Sequence, residues 1–258
     1  MQLGLGYLPD PEDRRDLKLN DAPLALAADQ APDFFDALVP HVRGLLYQDG
    51  SQGCTGFSAA QAFRTRSSYL GRGAILPSAL LLWYMGRKTH GEENRNSGTY
   101  LRAVLKEAHA LGLVPELKWP SDDAAFDFMK DPARDPRVLR CAYDARGFGY
   151  YRCAGLAMYR KAEFKRALAS GCPVIFGTDV SFDFTRLKNH DPIPPPIDKD
   201  IAGGHAMCAV AYDERGIIGP QTWGPDWGND GWFHLSWEYV MWGQTRDCWA
   251  ISDPKVMS

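Results

Sequence analysis

The chain has 258 residues, 45% of them hydrophobic and 24% charged, with a formal net charge of -3. That length supports one large domain or two lobes sharing an interface, and the composition is that of a globular protein with a substantial core. A slightly acidic balance leaves no basic footprint for nucleic acid, and no apolar run approaches the roughly 20 residues of a membrane helix.

The opening stretch, MQLGLGYLPDPEDRRDLKLN, mixes acidic and basic side chains without an apolar h-region, so no signal peptide is evident. Residues 1 to 45 are rich in Pro, Asp and Leu and read as an extended arm. From Cys54 to about Ser68, Gly56, Ala59, Ala60 and Phe63 recur at helical spacing and predict a helix with a closely packing small-residue face. PSALLLWYMGRK at 77–88 has Pro at its start and is apolar nearly all round, which predicts a buried helix. SGTYLRAVLKEAHALG at 97–112 puts Leu101, Val104, Leu105 and Ala108 on one stripe, with Gly112 as the stop.

The texture then changes. After the Asp- and Pro-rich loop SDDAAFDFMKDPARDP, KAEFKRALASG predicts a short helix and CPVIFG a buried strand. NHDPIPPPIDKDIAGG is too proline-rich for helix or sheet, and HAMCAVAY, GWFHLSW and CWAIS read as strands. Helices first and strands later predict an α+β chain of two lobes, with the cleft between lobes as a common ligand site.

Six cysteines (Cys54, Cys141, Cys153, Cys172, Cys208 and Cys248) are scattered without a C-x-x-C pair. This argues against a zinc site and a disulfide-dense secreted scaffold. There is no H-E-x-x-H or phosphate-binding glycine loop. The expectation is no metal and no cofactor, and the cytoplasm or another reducing compartment.

QDGSQGCTGF at 48–57 places Cys54 at the mouth of a helix, where unpaired N–H groups and the dipole lower a thiol pKa. A lone cysteine there is more often a small buried apolar residue, so a partner must decide. His41 lies in the arm, His90 in a polar loop, His109 on a polar helix face, His190 in the proline-rich loop and His234 on an alternating strand. Each reads as a surface or satisfied polar residue. His205 opens HAMCAVAY directly after Gly203 and Gly204, a placement that presents an imidazole to a cleft. Sixteen residues after it begins QTWGPDWGNDGWFHL, a tight aromatic loop entering a strand, or else tryptophans filling a core edge.

Taken together, these segments resemble the papain family (C1) of cysteine peptidases, and its compact bacterial and viral members most. That family carries a glutamine six residues before its catalytic cysteine, where Gln48 stands relative to Cys54. Its histidine opens a strand of small and apolar residues, as in GGHAMCAVAYD, and its third residue follows sixteen positions later in N-S-W-G-x-x-W-G-x-x-G-[YW]. Here that segment is Q-T-W-G-P-D-W-G-N-D-G-W. The likeness runs from about residue 40 to residue 252.

The resemblance implies a papain-like two-lobe α+β fold, with an N-terminal helical lobe packed against a C-terminal antiparallel β-barrel-like lobe and the active site in the cleft. Residues 1–40 would be an arm without a full pro-segment, at most a short latch. Residues 41–140 would form the lobe carrying the nucleophile and 141–258 the lobe carrying the histidine, together one catalytic domain. Cys54 would attack a peptide carbonyl, with His205 as its imidazolium partner and acid/base. Gln48 and the Cys54 backbone N–H would stabilise the oxyanion. Gln221 would orient His205 and Trp223 would shield that bond from water. Gly98, Gln52, Gly204 and Trp223 would line the site for an extended polypeptide substrate bound by β-pairing. No nucleic acid, membrane or cofactor is implied.

Three positions depart from the family. Gln221 replaces its Asn, Ser51 removes one half of a common disulfide, and Gln52 replaces a glycine near the cleft. Two rival readings follow: a thiol acyl-transferase or amidase on the same fold, or a catalytically weak protein with a binding or assembly role, which Gln221 favours.

Overall fold

The computed structural model describes residues 4–27, 30–73, 75–121, 138, 148–153, 156–188, 191–196 and 200–253. Cys141, His190, nearly all of the Asp- and Pro-rich loop and the 140/141 lobe boundary lie outside the described residues.

In chain order the arm contributes β1 (Tyr7–Leu8), and α1 (Cys54–Tyr69) follows. Every residue of α1 from Cys54 to Ser68 is buried, so this helix runs through the core rather than along its surface. Its small residues explain how. A Cβ on Gly56 would lie 2.4 Å from the Ala79 carbonyl oxygen, so glycine alone admits the backbone of α2 (Ala79–Lys88). The cap of α2 is Ser78, whose hydroxyl accepts from the Leu81 N–H, and Pro77 stands one residue outside the cap instead of at the helix start. Residues 99–100 form β2 (Thr99–Tyr100), so α3 (Leu101–Leu111) starts later than the sequence pattern suggests. Leu101, Val104, Leu105 and Ala108 are its buried stripe, and Gly112 ends it at φ 87°.

The second half is built from β3 (Gly149–Arg152), α4 (Ala157–Ala169), β4 (Val174–Ser181), β5 (Ile201–Ala209), β6 (Ala211–Tyr212), β7 (Gly216–Pro220), β8 (Trp232–Ser236), α5 (Trp237–Met241) and β9 (Arg246–Ser252). The strands form two antiparallel sheets, β3-β9-β4-β5 and β6-β7-β8. The expected barrel-like lobe is therefore not a closed barrel among the described residues. β3 and β5 are opposite edges of the first sheet, and beyond Val210 the chain pairs into the second sheet instead.

His205 also departs from expectation: it lies within β5, not at its mouth. β4 continues to Ser181 and pairs back to Ile201 across a bulge, drawing Gly203 and Gly204 into the ladder. One apolar cluster joins α1, α3 and the first sheet through Phe57, Phe63, Leu105, Phe176 and Trp249. Among the described residues no helix is long and apolar enough to cross a membrane.

Candidate active site

Cys54 begins α1, fully buried, and the backbone N–H groups of Ala206, Gly6 and Thr55 face its sulfur, as does its own. Ala206 follows His205 in β5, so the helix start and the middle of that strand meet at the thiol. His205 Nε2 lies 2.8 Å from Gln221 Oε1. The same oxygen accepts the Thr222 N–H at 2.8 Å, which identifies it as the amide's oxygen and makes Nε2 the protonated nitrogen. Nδ1 then carries the lone pair and has no hydrogen-bond partner among the described residues.

The loop absorbs the extra methylene of Gln221 by its shape. Gly224, Gly228 and Gly231 adopt positive φ (87°, 60° and 82°), and Gln221 N–H donates to the Gly231 carbonyl at 2.8 Å. Trp223 covers the imidazole, with ring centroids 4.3 Å apart and planes tilted by 31°. Phe184 and Trp227 pack edge-on or tilted behind it.

Gln48 is buried and fixed at both ends of its amide. Oε1 accepts from the Thr222 hydroxyl at 2.5 Å, while Nε2 donates to the carbonyls of Ser51 at 2.8 Å and Gly4 at 3.1 Å. A donor therefore points into the cleft, and the group it meets there belongs to the arm.

Arm residues Gly4 to Leu8 run through the site. β1 pairs in parallel with β2, and the Thr99 N–H donates to the Gly6 carbonyl at 2.9 Å. Three of the four expected substrate-lining residues are near it, Trp223 standing over the imidazole instead. A Cβ on Gly98 would stand 2.6 Å from the Gly6 oxygen, one on Gly204 2.5 Å from the Tyr7 oxygen, and one on Gly6 1.8 Å from the Gln52 oxygen. Gln52 itself is held by Asn96, whose Oδ1 accepts the Gln52 N–H at 2.8 Å. The site thus brings Cys54, His205, Gln221, Gln48 and Trp223 together, and sets Gly98, Gln52 and Gly204 against the arm. Sequence reasoning missed Gly4, Gly6, Tyr7 and Thr222. The signal for the arm was the alternation of LGLGY, where side chains vanish at the two positions of closest approach.

A charged clamp holds the arm beyond the cleft. Tyr7 Oη donates to Asp247 Oδ2 at 2.5 Å, and the Asp10 N–H donates to the same oxygen at 2.6 Å. The Asp10 carboxylate accepts from the Arg102 N–H and from Trp249 Nε1, both at 3.0 Å. Asp16 joins Arg102 and Arg152 at 2.7 and 2.8 Å. Burial first, and the Asp247 charge second, raise the Asp10 pKa to about 6.

In this arm-filled cleft the electrostatics differ from the ion pair that a helix-start thiol suggests. Burial pushes the Cys54 thiol up to about 11, against the lowering effect of the surrounding N–H groups. Burial likewise pushes His205 down to about 4. Desolvation outweighs the helix terminus, and both groups are neutral while the arm is in place.

No family model matches the chain. An uncharacterised peptidase C1-like protein of Acanthamoeba polyphaga mimivirus is 26% identical over 273 residues, covering 96% of this chain and 86% of that one. Among solved structures, xylellain, a cysteine protease from Xylella fastidiosa, matches with a TM-score of 0.83 at 26% identity, over 98% of this chain and 97% of its own. A procathepsin B from Trypanosoma congolense shares the fold at a TM-score of 0.73 and 17% identity, over 98% and 87% of the two chains. Fold and site together define a papain-like cysteine peptidase. Within that class the chain is similar to compact C1-like proteins, at 26% identity to each of two.

Proposed function

We propose that this peptidase hydrolyses internal peptide bonds through a Cys54 thioester, and that residues 1–40 are a latch that must leave the cleft first. The observation that carries this reading is the arm backbone at Gly4 and Gly6, which meets Gln48 Nε2 and the Cys54 sulfur beside the strand that holds the His205–Gln221 pair. An extended peptide already lies where a substrate would. Residues 41–140 supply the nucleophile and 141–258 the histidine of one catalytic domain.

With the arm displaced, water returns and His205 Nδ1 takes the thiol proton. The thiolate adds to the substrate carbonyl carbon, and the developing oxyanion receives hydrogen bonds from Gln48 Nε2 and the Cys54 N–H. His205 then protonates the leaving amine, and a water deprotonated by the same nitrogen releases the acid from the thioester. Gln221 keeps Nε2 protonated and the ring in place throughout. The rival binding-protein reading drew on Gln221, and the 2.8 Å contact with His205 weighs against it. Acyl transfer to an amine would use the same residues and differ in product.

Labelling the full chain with a thiol-directed epoxide, followed by peptide mapping and product analysis on a fluorogenic peptide, tests this. Modification confined to Cys54, with free acid as product and no turnover in Cys54→Ala, is expected. Modification mainly elsewhere, or turnover that survives Cys54→Ala, would sink it.

A further inference from the structure

Two cysteines outside the peptidase site face each other. The register of β3 on β9 pairs Arg152 with Trp249, which sets Cys153 directly opposite Cys248, and the Cys153 N–H donates to the Cys248 carbonyl at 2.8 Å. Residues opposed across a hydrogen-bonded antiparallel pair have Cα atoms about 5.5 Å apart and side chains on one face. That separation falls inside the roughly 4.4–6.8 Å that a disulfide spans, and the Cβ atoms, about 5.5 Å apart at such a pair, must close by about 1 Å to bridge. Both thiols are free and buried. Cys153 also lines a cavity of about 640 Å³, walled by Glu12, Lys18, Leu156, Tyr159 and Glu163, in the size range of small-ligand pockets. Cys153 is therefore the member of the pair that borders solvent space, and attack by its buried thiol needs local opening beside that cavity.

We propose that Cys153 and Cys248 form a redox-active dithiol, converted to an intramolecular disulfide by a low-molecular-weight disulfide such as glutathione disulfide. The Cys153 thiolate attacks one glutathione sulfur; a mixed S–S bond forms, the glutathione S–S bond breaks, and one glutathione thiolate leaves. The Cys248 thiolate then attacks the Cys153 sulfur and expels the second glutathione. Two protein thiols are oxidised, one small disulfide is reduced to two thiols, and the two protons released pass to the departing thiolates.

The charged groups around the pair are Arg160 and Glu163 of α4 with Arg152 and Asp247 of its own strands. Burial dominates them, raising both thiols, Cys248 to about 12, so exchange is slow near neutral pH and quickens in alkali. In reducing solution the two pack as small apolar side chains. The neighbours Arg152 and Asp247 anchor Asp16 and Tyr7 of the arm, so the bridge would tie together the strands that carry the clamp.

The test is exposure of the full chain to excess glutathione disulfide at mildly alkaline pH, then blocking, digestion and mass mapping without reductant. Expected are joint loss of both thiols to alkylation and a Cys153–Cys248 cross-linked peptide as the dominant linkage, reversed by dithiothreitol. In Cys248→Ser the product should become a glutathione adduct on Cys153. Two thiols still free after prolonged exposure, separate adducts on each in the wild type, or a different dominant pair would overturn the proposal.

Discussion

Gly6→Ala tests whether the arm holds the cleft shut. The added Cβ would lie 1.8 Å from the Gln52 carbonyl oxygen and 2.6 Å from its carbon. Those are backbone atoms, which cannot swing aside as a side-chain tip would. Gly6 is not among the positive-φ glycines, so alanine suits its backbone and the penalty falls on docking alone. The docked state gives up the Thr99 bond to the Gly6 carbonyl, the Gln48 bond to the Gly4 carbonyl and the Gly6 N–H on the Cys54 sulfur. At about 1 kcal/mol net for each, expulsion costs about 3 kcal/mol, or about two orders of magnitude in the docked-to-open ratio. Apparent kcat/KM scales with the open fraction, so it should rise by up to about 100-fold on a short fluorogenic peptide at equal active-site titre. Gly243→Ala, with no atom within 4 Å of the new Cβ, is the matched control. Wild-type and Gly6→Ala enzymes with the same kcat/KM would refute the blocking role.

On the Gly6→Ala background, Gln48→Ala should lower kcat by about 10²–10³-fold with KM little changed; an unchanged kcat removes Gln48 from the oxyanion. Gln221→Asn retracts the amide that now sits 2.8 Å from His205 and should lower kcat by up to about tenfold, or about 1.4 kcal/mol of barrier. Gln221→Ala should cost more, and full activity there would assign the orienting role elsewhere. In the wild type, hydrogen-exchange protection of the Gly4–Leu8 amides, corrected for intrinsic rate, should stay nearly level through mild acid, whereas in Asp10→Asn it should fall with pH. A level profile in the variant would contradict the charge balance behind this expectation.

The residues of the site were legible because local elements fix their spacing. A turn separates Gln48 from the α1 start, and one strand with its following hairpin separates His205 from Gln221. Helix α3 and its Gly112 stop were legible from one stripe of apolar residues and a backbone that must turn left-handed. The strand start at His205 was misread because Asp200 to Gly204 has little strand propensity of its own; β4 draws it into the sheet, and tertiary pairing overrides local preference. The arm was read as extended chain, but its path into the cleft was not legible. Nothing local in LGLGY says that the Ser51 and Gln52 backbones stand where the Gly4 and Gly6 side chains would be. Nor could sequence foresee the neutral thiol. A helix start is visible in sequence, but the depth at which the arm buries it is not.

That burial couples the chemistry to the latch. Burial holds His205 near 4 rather than its ordinary 6.5; if the arm's departure re-solvates the ring, the open cleft binds more protons than the closed one between those values. By linkage the docked arm loses about 3 kcal/mol as pH falls through that window. Asp10 has the opposite sign. Its pKa is raised from 3.8 to about 6, so the docked state binds more protons in that window and gains as pH falls. The two slopes largely cancel between about pH 4 and 6, and Asp10→Asn leaves the His205 slope alone. Cys54 is near 11 under the arm and ordinarily near 9, above this window in both states, so it adds no slope there. Once the arm departs, the desolvation that kept both catalytic groups neutral is relieved, and the thiol and imidazole can exchange their proton. On this argument the latch controls more than access: it withholds the charged form of the nucleophile until there is room for a substrate.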